Sequence, residues 1–242
     1  MSGKLYIVST PIGNREDITI RALHTLFSVD TIVCEDTRRT GNLLQLIQPH
    51  FRKLYDKDAK RPRLMAMNNF NEDGVTPTVI ELLKEDKSIA LVSDGGTPLI
   101  ADPGYPLVKE CIELGIQIVP IPGSSALLTA LVASGLPAYP FIFWGYPPEK
   151  PGKRLSTFKA LKSSVDTKET LVKTVILYAS PHKILRILEE LHSVFGDIPV
   201  VIARELTKMY EDVSHTTFLS AIEGFKKNPP KGELVILFAP KS

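Results

Sequence analysis

Most short signatures that would identify an enzyme at a glance are missing from these 242 residues. No GxxxxGK[ST] occurs, which excludes a P-loop, and no GxGxxG follows an apolar run, which argues against a standard dinucleotide site. No GxSxG is present, so there is no nucleophile elbow. The two cysteines, Cys34 and Cys111, lie within apolar segments. They are too few for a disulfide scaffold, and buried, unpaired thiols in a reducing compartment are expected. The five histidines, His24, His50, His182, His192 and His215, are scattered without metal-ligand spacing, so no metal site is expected. No apolar run reaches the length of a membrane span and no charged-then-apolar leader opens the sequence. A cytoplasmic protein with no membrane partner is therefore expected. A net charge of +2 leaves no global field to attract nucleic acid. Any RNA contact has to come from local patches.

What is present is an ordinary globular composition, 43% hydrophobic and 23% charged, on a length that suits one large or two modest domains. The most informative stretch is Ile89 to Gly104, IALVSDGGTPLIADPG. It starts as a buried strand, crosses Ser93 to Pro98 with no large side chain, and leads to helical spacing at Leu107, Val108, Cys111, Ile112 and Leu114. Adjacent glycines let a ligand approach the main chain. Strand, small-residue loop, helix is how open α/β sheets build ligand sites at the carboxyl ends of their strands.

Strands are expected at Leu5–Ser9, Thr31–Cys34, Leu64–Met67 and Ile116–Pro120, with helices between them. Asp17 or Thr19 is placed as the cap of the first helix. Phe51 to Arg63, rich in Lys and Arg, reads as a surface loop. Ala126 to Val132 is apolar nearly all round and reads as a buried helix. The alternation predicts a mainly parallel sheet, and Gly135–Pro140 is taken as the boundary between an N-terminal α/β domain, 1–136, and a C-terminal α/β domain, 137–242. The second half is expected to carry strands at Phe141–Gly145, Thr174–Tyr178, Pro199–Ala203 and Glu233–Phe238. Its helices are expected around Lys150–Lys162, after a Ser180 cap with Pro181 at the first helical position, and near Phe218–Phe225. Ser163–Lys173 reads as a polar loop.

The expected strand ends, TPIGN, EDTRR, SDGGTPLIADPG and PIPGSS, with ARELTK and KGE from the second half, would gather at one edge. A cleft lined by backbone and small polar groups suits a cofactor with an adenosine and an amino-acid tail. The residues alone imply an α/β enzyme with a small-molecule cleft.

TPIGNREDITIRAL, EDTRRT, LVSDGGTPLIADPGYPLV, PIPGSSALLTALVASGLP, YASPHK and ARELTK, in this order over nearly the whole chain, resemble the ribosomal RNA small subunit methyltransferase I family of the tetrapyrrole-methylase superfamily. The resemblance implies two α/β domains of the tetrapyrrole-methylase type with S-adenosyl-L-methionine in the interdomain cleft, in a homodimer. It implies 2′-O-methylation of a cytidine ribose in the decoding region of small-subunit ribosomal RNA, free or in the assembled subunit. By the same resemblance the cofactor is placed against Ile12, Gly96, Thr97, Ile100, Ser124, Ser125, Tyr178, Leu206 and Glu233. Helix-start N–H groups near Ser124 and Ser125 suit a carboxylate.

A ribose hydroxyl is a weak nucleophile, so a base that takes its proton helps. Glu35, Asp36 and Glu205 are the candidates, with Arg38 and Lys208 to orient a phosphate or the hydroxyl. Asp102 reads as a turn former. Arg38, Arg39 and the 51–63 segment, with Lys150, Lys153 and Arg154, are the expected RNA contacts. Two rival readings stay open: a small-molecule, tetrapyrrole-like methyltransferase, and a non-catalytic RNA-binding ribosome-assembly protein.

Overall fold

Two apolar strands with alternating faces set the first layer. Ile32 and Cys34 pack on one side of the sheet and Val33 on the other; Ala90 and Val92 oppose Ile89 and Leu91, as the two-residue period of a strand demands. The computed structural model describes residues 3–56, 59–165 and 172–240. The chain divides into two compact units, Met1–Ser125 and Ala126–Ser242.

The first unit runs β1 (Lys4–Val8), α1 (Ile20–Leu26), β2 (Thr31–Cys34), α2 (Thr37–Tyr55), β3 (Arg63–Ala66), α3 (Glu72–Lys84), β4 (Ile89–Leu91), α4 (Tyr105–Glu113) and β5 (Gln117–Ile121). Its five strands are all parallel, in the order β3-β2-β4-β1-β5. Leu23, Leu26, Ile47 and Phe51 from α1 and α2 cover one face. Val79, Ile80, Leu83, Leu107 and Cys111 from α3 and α4 cover the other. Each fully buried Leu or Ile contributes about 1.5–3 kcal/mol. Thr19 is the cap of α1, its hydroxyl accepting from the Ala22 N–H at 3.0 Å, which fixes where the chain leaves the β1 loop.

The second unit runs α5 (Ala126–Ala133), β6 (Phe141–Gly145), α6 (Pro151–Val165), β7 (Thr174–Ala179), α7 (Ile184–Phe195), β8 (Pro199–Arg204), β9 (Asp212–Thr217), α8 (Phe218–Lys227) and β10 (Leu234–Phe238). Its sheet is mixed, in the order β6-β7-β10-β8-β9, with β10 antiparallel to both its neighbours. Phe158, Ile187, Leu188, Leu191 and Phe218 from α6, α7 and α8 form one core against Val175, Leu177, Ile202 and Ile236. Because β10 runs backwards, its start, at Glu233, lies at the same sheet edge as the ends of β7 and β8.

The structure corrects several expectations. The two units part before α5 rather than at Gly135–Pro140, because α5 packs on β10. Leu128 and Val132 of that helix are 50% and 77% exposed, so it is not buried all round. Phe51 to Tyr55 is the last turn of α2, not loop: Phe51 is buried against Phe27 at 4.9 Å between ring centres. Lys57 and Asp58 lie outside the described residues. Ser163 to Val165 ends α6, and the rest of the expected polar loop falls largely on 166–171, also outside them. Ser180 caps no helix side-on; Ser180 to Lys183 form a turn, and α7 starts at Ile184. β9 (DVSHTT) was not expected.

Candidate functional site

In the first unit β2, β4, β1 and β5 lie side by side in parallel, so their carboxyl ends deliver Glu35–Arg39, Ser93–Gly104, Ser9–Asn14 and Pro122–Ser125 to one edge. Such an edge is where open α/β sheets bind ligands. Thr10 and Gly96 exchange both backbone hydrogen bonds at 2.9 Å, which locks the β1 and β4 loops together. Gly96 sits at φ +96°, and a Cβ there would lie 3.4 Å from Ile12 Cγ2. The Thr97 hydroxyl donates to the Ser124 carbonyl at 3.1 Å, leaving the Ser9 hydroxyl, 3.0 Å away, to donate to it. Ile12, Gly96, Thr97 and Ser124 are thus brought together. Ile100 stands further along the same loop, 39% exposed, and Ser125 directly precedes α5.

Beside this cradle is a set of carboxyls. Asp94 ties the loops, one oxygen accepting from the Asp36 N–H and the other pairing with Arg39, both at 3.2 Å. Asp36 caps α2 by accepting from the Arg38 N–H at 2.8 Å, and its hydrogen bonds with the exposed Arg38 guanidinium hold it below the usual carboxylate range. Glu35 has the opposite character: burial, then the charge of Asp94, raises it against the pull of Arg39. Asp102 goes further, pushed from 3.8 up to about 6 by burial, with Glu35 and Asp94 adding to it and a hydrogen bond with Ser93 opposing. The loop carrying Asp102 has two non-glycine residues in left-handed conformation, Leu99 (φ +72°) and Ala101 (φ +69°). The Gly104 N–H at its end donates to Glu72 at 2.9 Å.

In the second unit ARELTK and KGE meet. The Glu205 carboxylate accepts from Lys208 at 2.9 Å and from the Glu233 N–H at 3.0 Å, and Lys208 also reaches Glu233 at 3.2 Å. Burial alone would raise Glu205, but Lys208 and that N–H outweigh it and lower it. Burial opposes the charge on Lys208, yet its two carboxylate partners leave it raised. Glu205 is therefore a neutralised carboxylate and a poor proton acceptor. Leu206 is buried, at 7% exposure. Tyr178 accepts at its hydroxyl from the Leu127 N–H at 3.2 Å and packs edge-on against Phe143. The α6–α7 groove bounded by Leu155, Lys159 and Val194 contains none of these residues.

Arg154 is not available to RNA. Its guanidinium is buried in a two-fold pair with Glu190 at 2.6 and 2.7 Å and donates to the carbonyls of Pro148 and Glu149. Lys60 pairs with Asp30 at 2.7 Å. Asp94 as a tie and Asp102 as more than a turn former were not expected; only the approach of the β2 and β4 ends shows their coupling. Gly232, in the expected KGE segment, approaches Glu205 so closely that an added Cβ would lie 2.2 Å from its Oε1. Among the described residues no group of His, Cys, Asp and Glu is arranged to hold a metal ion, and no helix is long and apolar enough to cross a membrane. Cys34 and Cys111 are free and buried, and burial pushes both thiols up, Cys111 to about 11.

The chain, a parallel sheet followed by a mixed sheet, is similar in fold to a solved Uroporphyrin-III C-methyl transferase from Thermus thermophilus complexed with S-adenyl homocysteine. That likeness has a TM-score of 0.63 at 18% identity and covers 97% of each chain. The family model described as Tetrapyrrole (Corrin/Porphyrin) Methylases matches residues 4–221, and the chain belongs to that family. Within it, the chain is 44% identical over 238 residues to the Ribosomal RNA small subunit methyltransferase I of Escherichia coli O157:H7, covering 97% of this chain and 77% of that protein. It is 42% identical over 239 residues to the protein of the same name from Thermotoga maritima, covering 99% of both.

Proposed function

We propose that this protein is a methyltransferase that uses S-adenosylmethionine to methylate the 2′-hydroxyl of a cytidine in the decoding region of small-subunit ribosomal RNA, as a cytoplasmic homodimer. The observation that carries this reading is identity above 40% over nearly the full length to proteins named for ribosomal RNA methylation.

The residues present suit the cofactor. The cradle of Ile12, Gly96, Thr97 and Ser124 offers small side chains, open backbone and a hydroxyl network, with Ile100 as apolar surface and Ser125 beside Ser124. On the second unit Tyr178, Leu206 and Glu233 are the proposed contacts. When bound, S-adenosylmethionine supplies an electrophilic methyl group. What the protein adds is orientation and a place for the proton, and positioning accounts for much of the rate.

Of the three candidate bases, Glu35 is the one we assign. Asp36 is committed to Arg38 and its helix, and Glu205 to Lys208. Glu35 is raised by burial and by Asp94, which brings it nearer the pH at which a general base works best. Arg38, 90% exposed at its side chain beside Asp36, is our candidate to meet a phosphate, and Lys208 to hold Glu205 and Glu233.

The experiment is transfer of labelled methyl to small ribosomal subunits lacking decoding-region methylation, with the label mapped to nucleotide and atom. Label on a cytidine ribose oxygen is expected. Cofactor binding with no label moves the substrate to another RNA or a small molecule, and neither binding nor label leaves an assembly factor. Glu35→Gln is expected to slow the step about 10²–10⁴-fold with cofactor binding kept. An unchanged rate removes Glu35 from that role.

A further inference from the structure

The edge strand of the second sheet is irregular at one place. β6 pairs with β7 in parallel, Phe141 with Thr174, Ile142 with Val175 and Phe143 with Ile176, and then Gly145, not Trp144, pairs with Leu177. Trp144 is the extra residue of a β-bulge, a device that re-aims side chains at sheet edges. The backbone turns again at Gly145, which is buried at φ +71°. As a result Phe143 packs inward with its ring 4.8 Å from Tyr178. Trp144 stays 39% exposed, and Tyr146 is 59% exposed while resting edge-on against Tyr178 at 5.4 Å.

The chain beyond these rings is held firmly. Pro147 and Pro148 restrict it, and the buried Arg154 guanidinium grips the carbonyls of Pro148 and Glu149. Glu149 is neutralised by Lys183. Lys150 and Lys153, both exposed, follow at the start of α6, and neither has an ion-pair partner among the described residues. Two exposed aromatic rings, a braced loop and two uncompensated ammonium groups thus occur within ten positions, Trp144 to Lys153.

We propose that Trp144 and Tyr146 form a stacking platform for unpaired bases of the RNA substrate, with Lys150 and Lys153 on the adjoining phosphates. The proposal deepens the RNA reading given above and rests on it. Aromatic faces beside a basic stretch bind single-stranded nucleic acid because every base has a π-face and every linkage a charge. The one acidic residue among positions 144–153, Glu149, is already paired with Lys183, and Glu190 nearby with Arg154, which leaves the two ammonium groups for a polyanion. Placing unstacked nucleotides here would help present a ribose that a folded helix otherwise hides.

Trp144 is the one tryptophan of the chain, so its emission reports directly on this surface. The experiment titrates the full-length protein with single-stranded oligocytidylate, following tryptophan emission and, separately, the anisotropy of end-labelled oligonucleotide. Saturable quenching that tracks anisotropy and weakens with salt is expected. Trp144→Ala is expected to weaken binding roughly five- to hundred-fold, and Trp144→Phe far less, since a ring remains. Replacing Lys150 and Lys153 by Ala is expected to flatten the salt dependence by about 1.4 in log–log slope. Tyr146→Ala provides a second loss of ring should Trp144→Ala fail to fold by circular dichroism.

Oligonucleotide that binds without altering the emission overturns the platform. So does emission that changes with protein concentration and ignores RNA, which assigns the edge to a second copy of the chain. Subunits that are methylated by a protein unable to bind the oligonucleotide also overturn it, while the methyltransferase reading stands. Failure to methylate subunits and to bind any RNA removes the reading beneath it.

Discussion

The two strand-end loops, 93–104 in the first unit and 204–208 in the second, solve the same backbone problem in opposite ways. Each holds two non-glycine residues in left-handed conformation, Leu99 and Ala101 in one, Glu205 and Thr207 in the other, at a cost on the order of 1–3 kcal/mol per residue. The second loop is held by charge: Glu205 lies between Lys208 and the Glu233 N–H, and the Thr207 N–H donates to Glu211. The first is held by packing, with the Leu91 and Leu99 side chains closing on Gly104. Burial raises Glu35 and Asp102, with the charge of Asp94 adding to it and Arg39 and Ser93 opposing, whereas at Glu205 the burial is outweighed by Lys208 and the Glu233 N–H. Both raised carboxyls belong to the first unit, Glu35 after β2 and Asp102 after β4.

The largest expected effect comes from overfilling the packed loop. At Gly104, φ is +117° and an added Cβ would lie 2.7 Å from Leu91 Cδ2, so Gly104→Ala should destabilise the protein by about 3 kcal/mol in urea denaturation. Gly232→Ala meets the Glu205 side chain from Oε1 back to Cγ; that side chain can swing away while losing its hydrogen bonds, so the change should cost about 2 kcal/mol. Equal costs would show that the two loops are not held differently.

The next test removes a charge from the packed loop. A carboxyl raised from 3.8 to about 6 binds a proton in the folded state that the unfolded chain has released, so stability falls as pH rises from about 4 to 6. The full shift corresponds to about 3 kcal/mol, which partial exposure screens to about 1–2 kcal/mol. Asp102→Asn should therefore raise the melting temperature by a few degrees at pH 7.5 and give no gain below pH 4. A loss at pH 7.5 would contradict the raised value.

The smallest effect is expected where charge is already balanced. Glu205, lowered from 4.5, contributes stability that is present above its unfolded pKa and lost as pH falls through its folded one. Lys208→Met should cost about 1 kcal/mol at neutral pH and move the Glu205 titration upward, read by NMR of its side-chain carboxyl. A titration that stays low would assign the shift to the backbone N–H of Glu233 instead.

Much of this was legible in the sequence because the first unit follows simple periods. Its strands alternate faces, its helices carry apolar residues three and four apart, and its ligand-edge segments are short and rich in Gly, Pro and Asp. The errors have physical causes. The last turn of α2 was hidden because Arg52 and Lys53 follow Phe51, and a charged face diluted the apolar signal. β9 is an edge strand, and its polar Ser214, His215 and Thr216 suit an exposed ladder but weaken any strand pattern. Arg154 sits among lysines and was grouped with them; its partner, Glu190, lies on the next helix. The raised state of Asp102 depends on Glu35 and Asp94, which come from two different strand ends, so no local pattern contains it.

The order of strands in the second sheet also bears on how the chain is made. β10, the last of the described strands to be synthesised, occupies the middle of that sheet, between β7 and β8. Until it emerges, β7 and β8 each lack a neighbour, for a time on the order of seconds at ordinary elongation rates. Exposed strand edges are where nascent chains associate wrongly. The first unit has its sheet complete by Ile121 and can fold while the ribosome is still at work. The second has to wait, and the interval between Ala179 and Leu234 is where a chaperone would be most needed.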